Sequence, residues 1–278
     1  MRTTAENAEL ALLLDVTSTP KPGNVDRAHD HEDLRFEHFM AGAVGASEGL
    51  RMAAAGEPVG TAFERAVEGM ANQRGGNTQF GALLTLVPLV AAARAEGGVT
   101  PESAANVVES TTVEDAAGFY RAFEHVDVAV DDPPDGMDAL DVRHGADAIP
   151  TLRDRELTLY DVLAASVERD GLAREWVSRF PRSFETAERI ESGDGPVPDR
   201  AARAYLELLA SEPDTFVATA HDEATAREVC EAARAVRRGE TSPETLADQL
   251  VAAGVNPGTT ADLVAAGLFV ALERGLDV

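Results

Sequence analysis

A polar loop near the start of the chain carries the densest group of residues suited to ligand chemistry. The segment 19–27, TPKPGNVDR, continues to His31 and Asp33 and follows an apolar stretch at residues 10–16. Its two prolines stop helical hydrogen bonding, and loops held by rigid neighbours are common sites of ligand binding. We therefore predict that this loop binds a ligand.

The lysine of this loop favours a phosphate group as that ligand. Lys21 is the single lysine among the 24 Lys and Arg residues of the chain. A compact ammonium group binds phosphate as a point charge. We predict that Lys21, Asn24 and Arg27 bind phosphate. The alternative is that Lys21 is an ordinary solvated loop residue.

Carboxylates in the same loop favour a magnesium ion. Asp26 and Asp33 lie close in sequence to His29 and His31, and Mg²⁺ is usually held by one or two carboxylates together with substrate phosphates. Zinc is disfavoured because the histidines have no thiol partners and no H-E-x-x-H frame. We predict Mg²⁺ as the cofactor, with Asp26, Asp33 and the more distant Asp262 as candidate ligands. The alternative is that these carboxylates only cap turns or helices.

Two further segments resemble anion-binding entries to helices. Residues 75–78 (GGNT) precede a long apolar stretch, and residues 256–260 (NPGTT) precede the last apolar segment. Glycines let backbone N–H groups approach a ligand, and the N-terminus of a helix attracts anions. The alternative is ordinary helix capping, because Asn and Thr are common N-cap residues. Neither a P-loop nor a dinucleotide-binding fingerprint is present. The candidate phosphate-binding residues of these segments are Gly76, Asn77, Thr78, Asn256, Gly258, Thr259 and Thr260.

The spacing of apolar residues predicts helices along the whole chain. Residues recur at intervals of three and four, for example Phe36, Phe39, Met40 and Ala43, and no segment alternates with a period of two. Residues 81–93 are apolar on all sides, which predicts a central buried helix. The turn-rich segment 131–138 is the best candidate for an interruption. We predict an all-α fold of about a dozen helices in one globular domain spanning residues 1–278.

Composition excludes several classes of protein. The net charge is −25, from 49 acidic and 24 basic residues, which argues against nonspecific nucleic-acid binding. Lysine-poor acidity suggests adaptation to a salt-rich cytoplasm. The longest apolar stretch, residues 81–95, is too short for a membrane helix, no signal peptide is recognisable, and the single Cys230 is expected in the core. We expect a cytoplasmic protein that binds neither membrane nor nucleic acid; the sequence does not indicate its oligomeric state.

Taken in order, the three segments resemble the motifs of the triphosphoribosyl-dephospho-CoA synthase family. The first is TPKPGNVDR at 19–27 followed by H-x-D-L at 31–34; the second is G-x-N-T-x-x-G at 75–81; the third is NPGTTADL at 256–263. The resemblance extends from about residue 11 to residue 269. It implies that the protein is an enzyme that uses ATP and 3′-dephospho-CoA as small-molecule substrates.

The reaction implied by this resemblance is a pentosyl transfer. The 2′-hydroxyl of dephospho-CoA attacks C1′ of the ATP ribose, and adenine leaves through an oxocarbenium-like transition state, by analogy with glycosyl transfer. The resemblance makes Lys21 a catalytic residue that neutralises phosphate together with Mg²⁺. Asp33 or His31 is the candidate general acid or base.

Two departures from the family pattern leave alternatives open. Gln79 stands where the second motif has histidine, and the segment 214–221 (DTFVATAH) replaces a basic, glycine-rich stretch. A related enzyme that uses a nucleotide to modify a different cofactor therefore stays in consideration. So does a noncatalytic, helical nucleotide-binding module.

Overall fold

A computed structural model describes residues 2–278, and fifteen α-helices make up most of it. No strand occurs among these residues, and two short 3₁₀ segments, Asp138–Leu140 and Val142–Ala148, lie between the sixth and seventh helices. The all-α prediction is confirmed. The helices are α1 (Thr4–Thr17), α2 (Phe36–Ala55), α3 (Val59–Met70), α4 (Phe80–Ala92), α5 (Pro101–Glu109), α6 (Val113–Ala122), α7 (Ile149–Asp154), α8 (Leu159–Ala164), α9 (Gly171–Val177), α10 (Pro181–Ser192), α11 (Val197–Ser211), α12 (Thr215–Ala220), α13 (Glu223–Arg237), α14 (Pro243–Ala252) and α15 (Gly258–Glu273).

Many of these helices begin at a side chain that caps the first turn. At α6, the Thr112 hydroxyl accepts from the Asp115 amide at 3.3 Å, and the Asp115 carboxylate accepts from the Thr112 amide at 2.8 Å. The same reciprocal pair occurs at Thr3 and Thr158. Each cap satisfies N–H groups that have no partner inside the helix. The local sequence therefore sets where these helices start.

Two helices lie deep in the molecule and carry the candidate motifs at their N-terminal ends. Every residue of α4 except Gly81 and Ala91 is buried, and every residue of α15 except Gly258, Asp262 and Glu273 is buried. The two helices pack against each other. The side chains that open them are therefore brought into the interior rather than onto the surface.

One connected cluster of buried apolar side chains extends from α1 to α15. Cys230 is buried on α13, as expected from its apolar neighbours. Among the helices of residues 2–278, none is both long enough and apolar enough to cross a membrane.

Candidate functional site

A cavity of about 270 Å³ lies where the three motif segments meet, close to the lower bound of about 300 Å³ for small-molecule pockets. Asn24 lines it from the first segment, Asn77 and Thr78 from the second, and Asn256 with Asp262 from the third. The structure thus brings together segments that are more than two hundred residues apart in the sequence.

The wall of the cavity has a polar end and an aromatic side. The polar end consists of Asp15, Asn24, Asn256, Thr259 and Asp262. Three phenylalanines form the aromatic wall, with ring centroids 4.8 Å apart for Phe80 and Phe123 and 5.2 Å apart for Phe119 and Phe123. The segment 131–138, predicted as a turn-rich interruption, contains no α-helix and forms part of this wall through residues 131–134 and 137.

Lys21 lies behind the polar end rather than in it. Its side chain is fully buried, and its Nζ donates to Asp15 Oδ2 at 2.8 Å and to Asn24 Oδ1 at 2.7 Å. The ring of Tyr205 lies 5.9 Å from the ammonium. Lys21 does not line the cavity. Because the loop folds Lys21 back onto α1, the lysine contacts two side chains of the cavity wall, Asp15 and Asn24, in place of the predicted direct contact with phosphate.

The first and third segments are locked together by close contacts. The Asn24 amide donates to Asn256 Oδ1 at 2.8 Å. Gly23 has φ of +80°, and a Cβ atom there would lie 2.6 Å from the carbonyl oxygen of Val255. Only glycine tolerates both this conformation and this approach. The proline-rich loop is thus a rigid support for Asn24 and Lys21.

Besides Lys21, four further predicted residues of the first loop lie outside the cavity wall. Asp26 is buried, and its carboxylate accepts from the backbone amides of Lys21, Ala28 and His29. His31 Nε2 contacts the carbonyl oxygen of Gly23 at 2.7 Å. The other two, Arg27 and Asp33, are exposed. The structure therefore does not bring the candidate acid–base residues His31 and Asp33 to the cavity.

The three candidate magnesium ligands are not gathered into one cluster. Asp262 lines the cavity, Asp26 has its oxygens engaged by loop amides, and Asp33 is exposed. Among residues 2–278, no group of three or more His, Cys, Asp or Glu side chains is arranged to hold a metal ion. Any cation here would need ligands from a substrate as well as from Asp262.

Asp262 faces the first turn of α4. A Cβ atom at Gly81 would lie 2.0 Å from Asp262 Oδ2, and the Ala82 amide stabilises the ionised form. Burial, followed by the negative charges of Asp15 and Asp214, nevertheless raises the pKa of Asp262 well above its usual range. Two carboxyl groups, Asp15 and Asp262, therefore meet at the polar end, and Lys21 offsets the charge of Asp15.

A second buried carboxylate, Asp214, occupies the N-terminus of α15. Its Oδ2 accepts from the Thr260 amide and hydroxyl, both at 2.7 Å, and its Oδ1 accepts from the Val217 amide at 3.0 Å. Thr260 is consequently a structural contact, and Gly76 of the second segment is exposed and outside the wall. The two helix ends predicted to cradle phosphate are already approached by carboxylates, Asp262 at α4 and Asp214 at α15.

Replacing Asp214 by alanine is expected to destabilise the protein by about 1–4 kcal/mol, because it removes two helix caps of about 0.5–2 kcal/mol each. Chemical denaturation followed by the fluorescence of the buried Trp176 measures this loss. Asp222→Ala is the matched control, since Asp222 caps only α13, through the Thr225 amide at 2.7 Å. An Asp214→Ala variant no less stable than the Asp222→Ala variant would contradict the double-cap assignment.

Sequence reasoning missed several residues of the wall. Asp15 lies within the apolar run of α1, Asp170 caps α9, and Thr215 donates to or accepts from Thr259 across 3.0 Å. An acidic residue inside an apolar helical stretch was the available signal for Asp15. Nothing local marks Asp170 as a cavity residue, whereas Thr215 belongs to the segment 214–221 that departs from the family pattern.

The fold and the cavity together define an all-helical protein with a deep, carboxylate-rich small-molecule site. The family model described as CitG, ATP:dephospho-CoA triphosphoribosyl transferase, matches residues 1–277, and the chain belongs to this family. The protein is therefore an enzyme of the transferase class.

A solved structure has the same fold. A protein from Archaeoglobus fulgidus, provisionally described as a triphosphoribosyl-dephospho-CoA synthase, is 28% identical and superposes with a TM-score of 0.71 over 85% of this chain and 99% of its own. No curated protein matches this chain.

Proposed function

We propose that this enzyme transfers the 5-triphosphoribosyl group of ATP to the 2′-hydroxyl of 3′-dephospho-CoA and releases adenine. Membership of the transferase family supports the reaction class. The observation that carries the proposal is the single cavity to which all three family segments contribute. Its polar end suits a ribose and phosphates, and its aromatic wall suits a planar base.

Asp15 is the proposed general base for the acceptor hydroxyl. Its Oδ2 is held by Lys21, whereas its Oδ1 is buried, has no hydrogen-bond partner and belongs to a residue of the cavity wall. Burial raises the pKa of Asp15 despite the adjacent ammonium, and a raised carboxyl pKa improves proton acceptance near neutral pH. Lys21 acts as the orienting group behind the base, a pairing common to activated nucleophiles. Asp15 thereby takes the role first expected of His31 or Asp33.

Mg²⁺ fits the residues at the polar end. Six aspartates and one arginine, Arg169, supply the charged groups of the wall. A triphosphate entering this surface is repelled unless a cation lies between the two, and Mg²⁺ commonly joins one or two carboxylates to substrate phosphates. Asp262, with Asp15 and Asp170 nearby, would hold the ion. When bound, the ion would neutralise charge on the phosphates, while Asn24, Asn256 and Thr259 would orient the ribose and phosphates. The six aspartates are Asp15, Asp131, Asp132, Asp141, Asp170 and Asp262.

A different acceptor is the second candidate, favoured by one part of the wall. The segment 214–221 contributes Thr215, Phe216 and Thr219 to the cavity but no cation. This surface suits a less anionic acceptor than dephospho-CoA. The same donor chemistry would then modify another cofactor that carries a free hydroxyl.

Chromatographic detection of adenine tests both candidates. The full-length enzyme is incubated with ATP, Mg²⁺ and either 3′-dephospho-CoA, an alternative hydroxyl-bearing cofactor, or no acceptor. Adenine release that depends on dephospho-CoA is expected. Release only with another acceptor would favour the second candidate, and no release with any acceptor would contradict the proposed transfer.

A further inference from the structure

The amide of Gln79 is a buried polar group without a partner. Gln79 is 4% exposed, and neither its Oε1 nor its Nε2 has a hydrogen-bond partner. The hydroxyl oxygen of the preceding Thr78 is in the same condition. Leaving such groups unpaired costs about 1–3 kcal/mol each, so a native structure needs a reason to keep them.

The position of Gln79 gives that reason. Both Gln79 and Thr78 line the cavity, and Gln79 directly precedes Phe80 of the aromatic wall. Helix α2 leaves space for both side chains at Gly42, because a Cβ atom there would lie 2.5 Å from Thr78 Oγ1 and 2.9 Å from Gln79 Oε1. The amide therefore lies beside a surface on which a planar ring can stack.

We propose that the Gln79 amide recognises the adenine of ATP through the N6/N7 edge of the base, a proposal that rests on the function proposed above. A carboxamide presents an acceptor and a donor side by side, which matches the N6 amino group and N7 of adenine. Guanine presents two acceptors, O6 and N7, at the same edge and does not match. Phe80, Phe119 and Phe123 supply the stacking surface for the base.

The same contact assists the departure of the base. During transfer the C1′–N9 bond breaks with its electron pair moving to adenine, and the bond from the acceptor oxygen to C1′ forms. One proton leaves the hydroxyl to Asp15, and one arrives on the base from water. A hydrogen bond from Nε2 to N7 stabilises the negative charge that develops on the ring, which is how fixed donors lower such barriers. Gln79 therefore both selects the donor nucleotide and promotes its cleavage.

Binding of ATP and 7-deaza-ATP, which lacks N7, tests the proposal without any acceptor. The wild-type enzyme is expected to prefer ATP by roughly threefold to tenfold, the value of one hydrogen bond. Gln79→Met, which keeps the length of the side chain but not its polar atoms, is expected to bind the two nucleotides equally. Gln79→Glu keeps an acceptor and loses the donor, so it too is expected to lose the preference. The matched control is Gln249→Met at an exposed position of α14.

Gln79→Met is expected to fold, because removing an unpaired buried amide is close to neutral for stability. Gln79→Glu places a carboxyl group at a buried position and is expected to be less stable than Gln79→Met. Thermal unfolding followed by Trp176 fluorescence shows whether each variant is folded at the temperature of the binding measurement. An unchanged ATP to 7-deaza-ATP ratio in either folded variant overturns the proposal, as does failure of the wild-type enzyme to bind ATP. If the ratio collapses as expected but dephospho-CoA yields no adenine, the acceptor is wrong and the recognition of adenine stands.

Discussion

Replacing Lys21 by methionine is expected to lower the free energy of unfolding by about 3–5 kcal/mol, the usual cost of removing one partner of a buried ion pair. Lys21 is fully buried, and its ammonium lies 2.8 Å from the carboxylate of Asp15. Methionine fills the space but leaves that carboxylate in the interior without a counter-ion. Urea denaturation followed by Trp176 fluorescence measures the loss.

The pH dependence of this loss follows from the direction of the Asp15 pKa. Burial raises that pKa in the folded protein, and removing Lys21 raises it further. A carboxyl group whose pKa is higher in the folded than in the unfolded protein stabilises the fold fully when the pH is below its unfolded pKa. This stabilisation is lost as the pH rises through its folded pKa. The deficit of Lys21→Met is therefore expected to be smaller at pH 5 than at pH 8.

Two further variants separate the ion pair from general effects of the substitution. The double variant Lys21→Met/Asp15→Asn removes both charges and is expected to recover much of the lost stability. Arg51→Met breaks an exposed ion pair with Glu48 and is expected to cost less than about 1 kcal/mol. A Lys21→Met variant as stable as Arg51→Met would show that the Lys21–Asp15 pair does not stabilise the fold.

Local sequence patterns were sufficient to predict the helices and the segments of the site. A capping box is complete within four residues and therefore predicts a helix start from local sequence alone, as at Thr3, Thr112 and Thr158. The fold class follows from apolar spacing, which is likewise a short-range property. The three motif segments could be recognised because each is contiguous, although only the fold shows that they share a cavity.

The roles of individual site residues depend on contacts that no local pattern contains. The burial of Lys21 depends on its loop folding back onto α1, where Asp15 lies. The approach of Asp262 to α4 joins residues 181 positions apart, Gly81 and Asp262. Asp214 caps α15 from 46 residues away. In each case a helix N-terminus or a cation that appeared free in the sequence has a carboxylate beside it in the fold.

Replacing Asp262 by asparagine is expected to reduce kcat/KM at least about 100-fold, since even the loss of a group that only supports a metal ligand costs about 10–100-fold. Asp262 is the proposed magnesium ligand at the polar end. The wild-type activity is expected to rise with pH as Asp262, whose pKa is raised, loses its proton and becomes able to bind the ion. Adenine release measured across pH and Mg²⁺ concentration, with EDTA as the metal-free reference, gives both quantities.

In the Asp262→Asn variant, stability relative to the wild type is expected to rise while activity falls. Burial and neighbouring carboxylates raise the pKa of Asp262 in the folded protein, so its ionisation destabilises the fold as pH rises above the unfolded value of about 3.9. Asparagine removes this charge, and the melting temperature of Asp262→Asn relative to wild type is expected to increase between pH 5 and pH 8. Asp154→Asn, at an exposed position at the end of α7, controls for the substitution itself. An Asp262→Asn enzyme that releases adenine at the wild-type rate would exclude this carboxylate from the reaction. An Asp262→Asn enzyme that is inactive but as stable as the wild type would show that the substitution impairs the reaction and not folding.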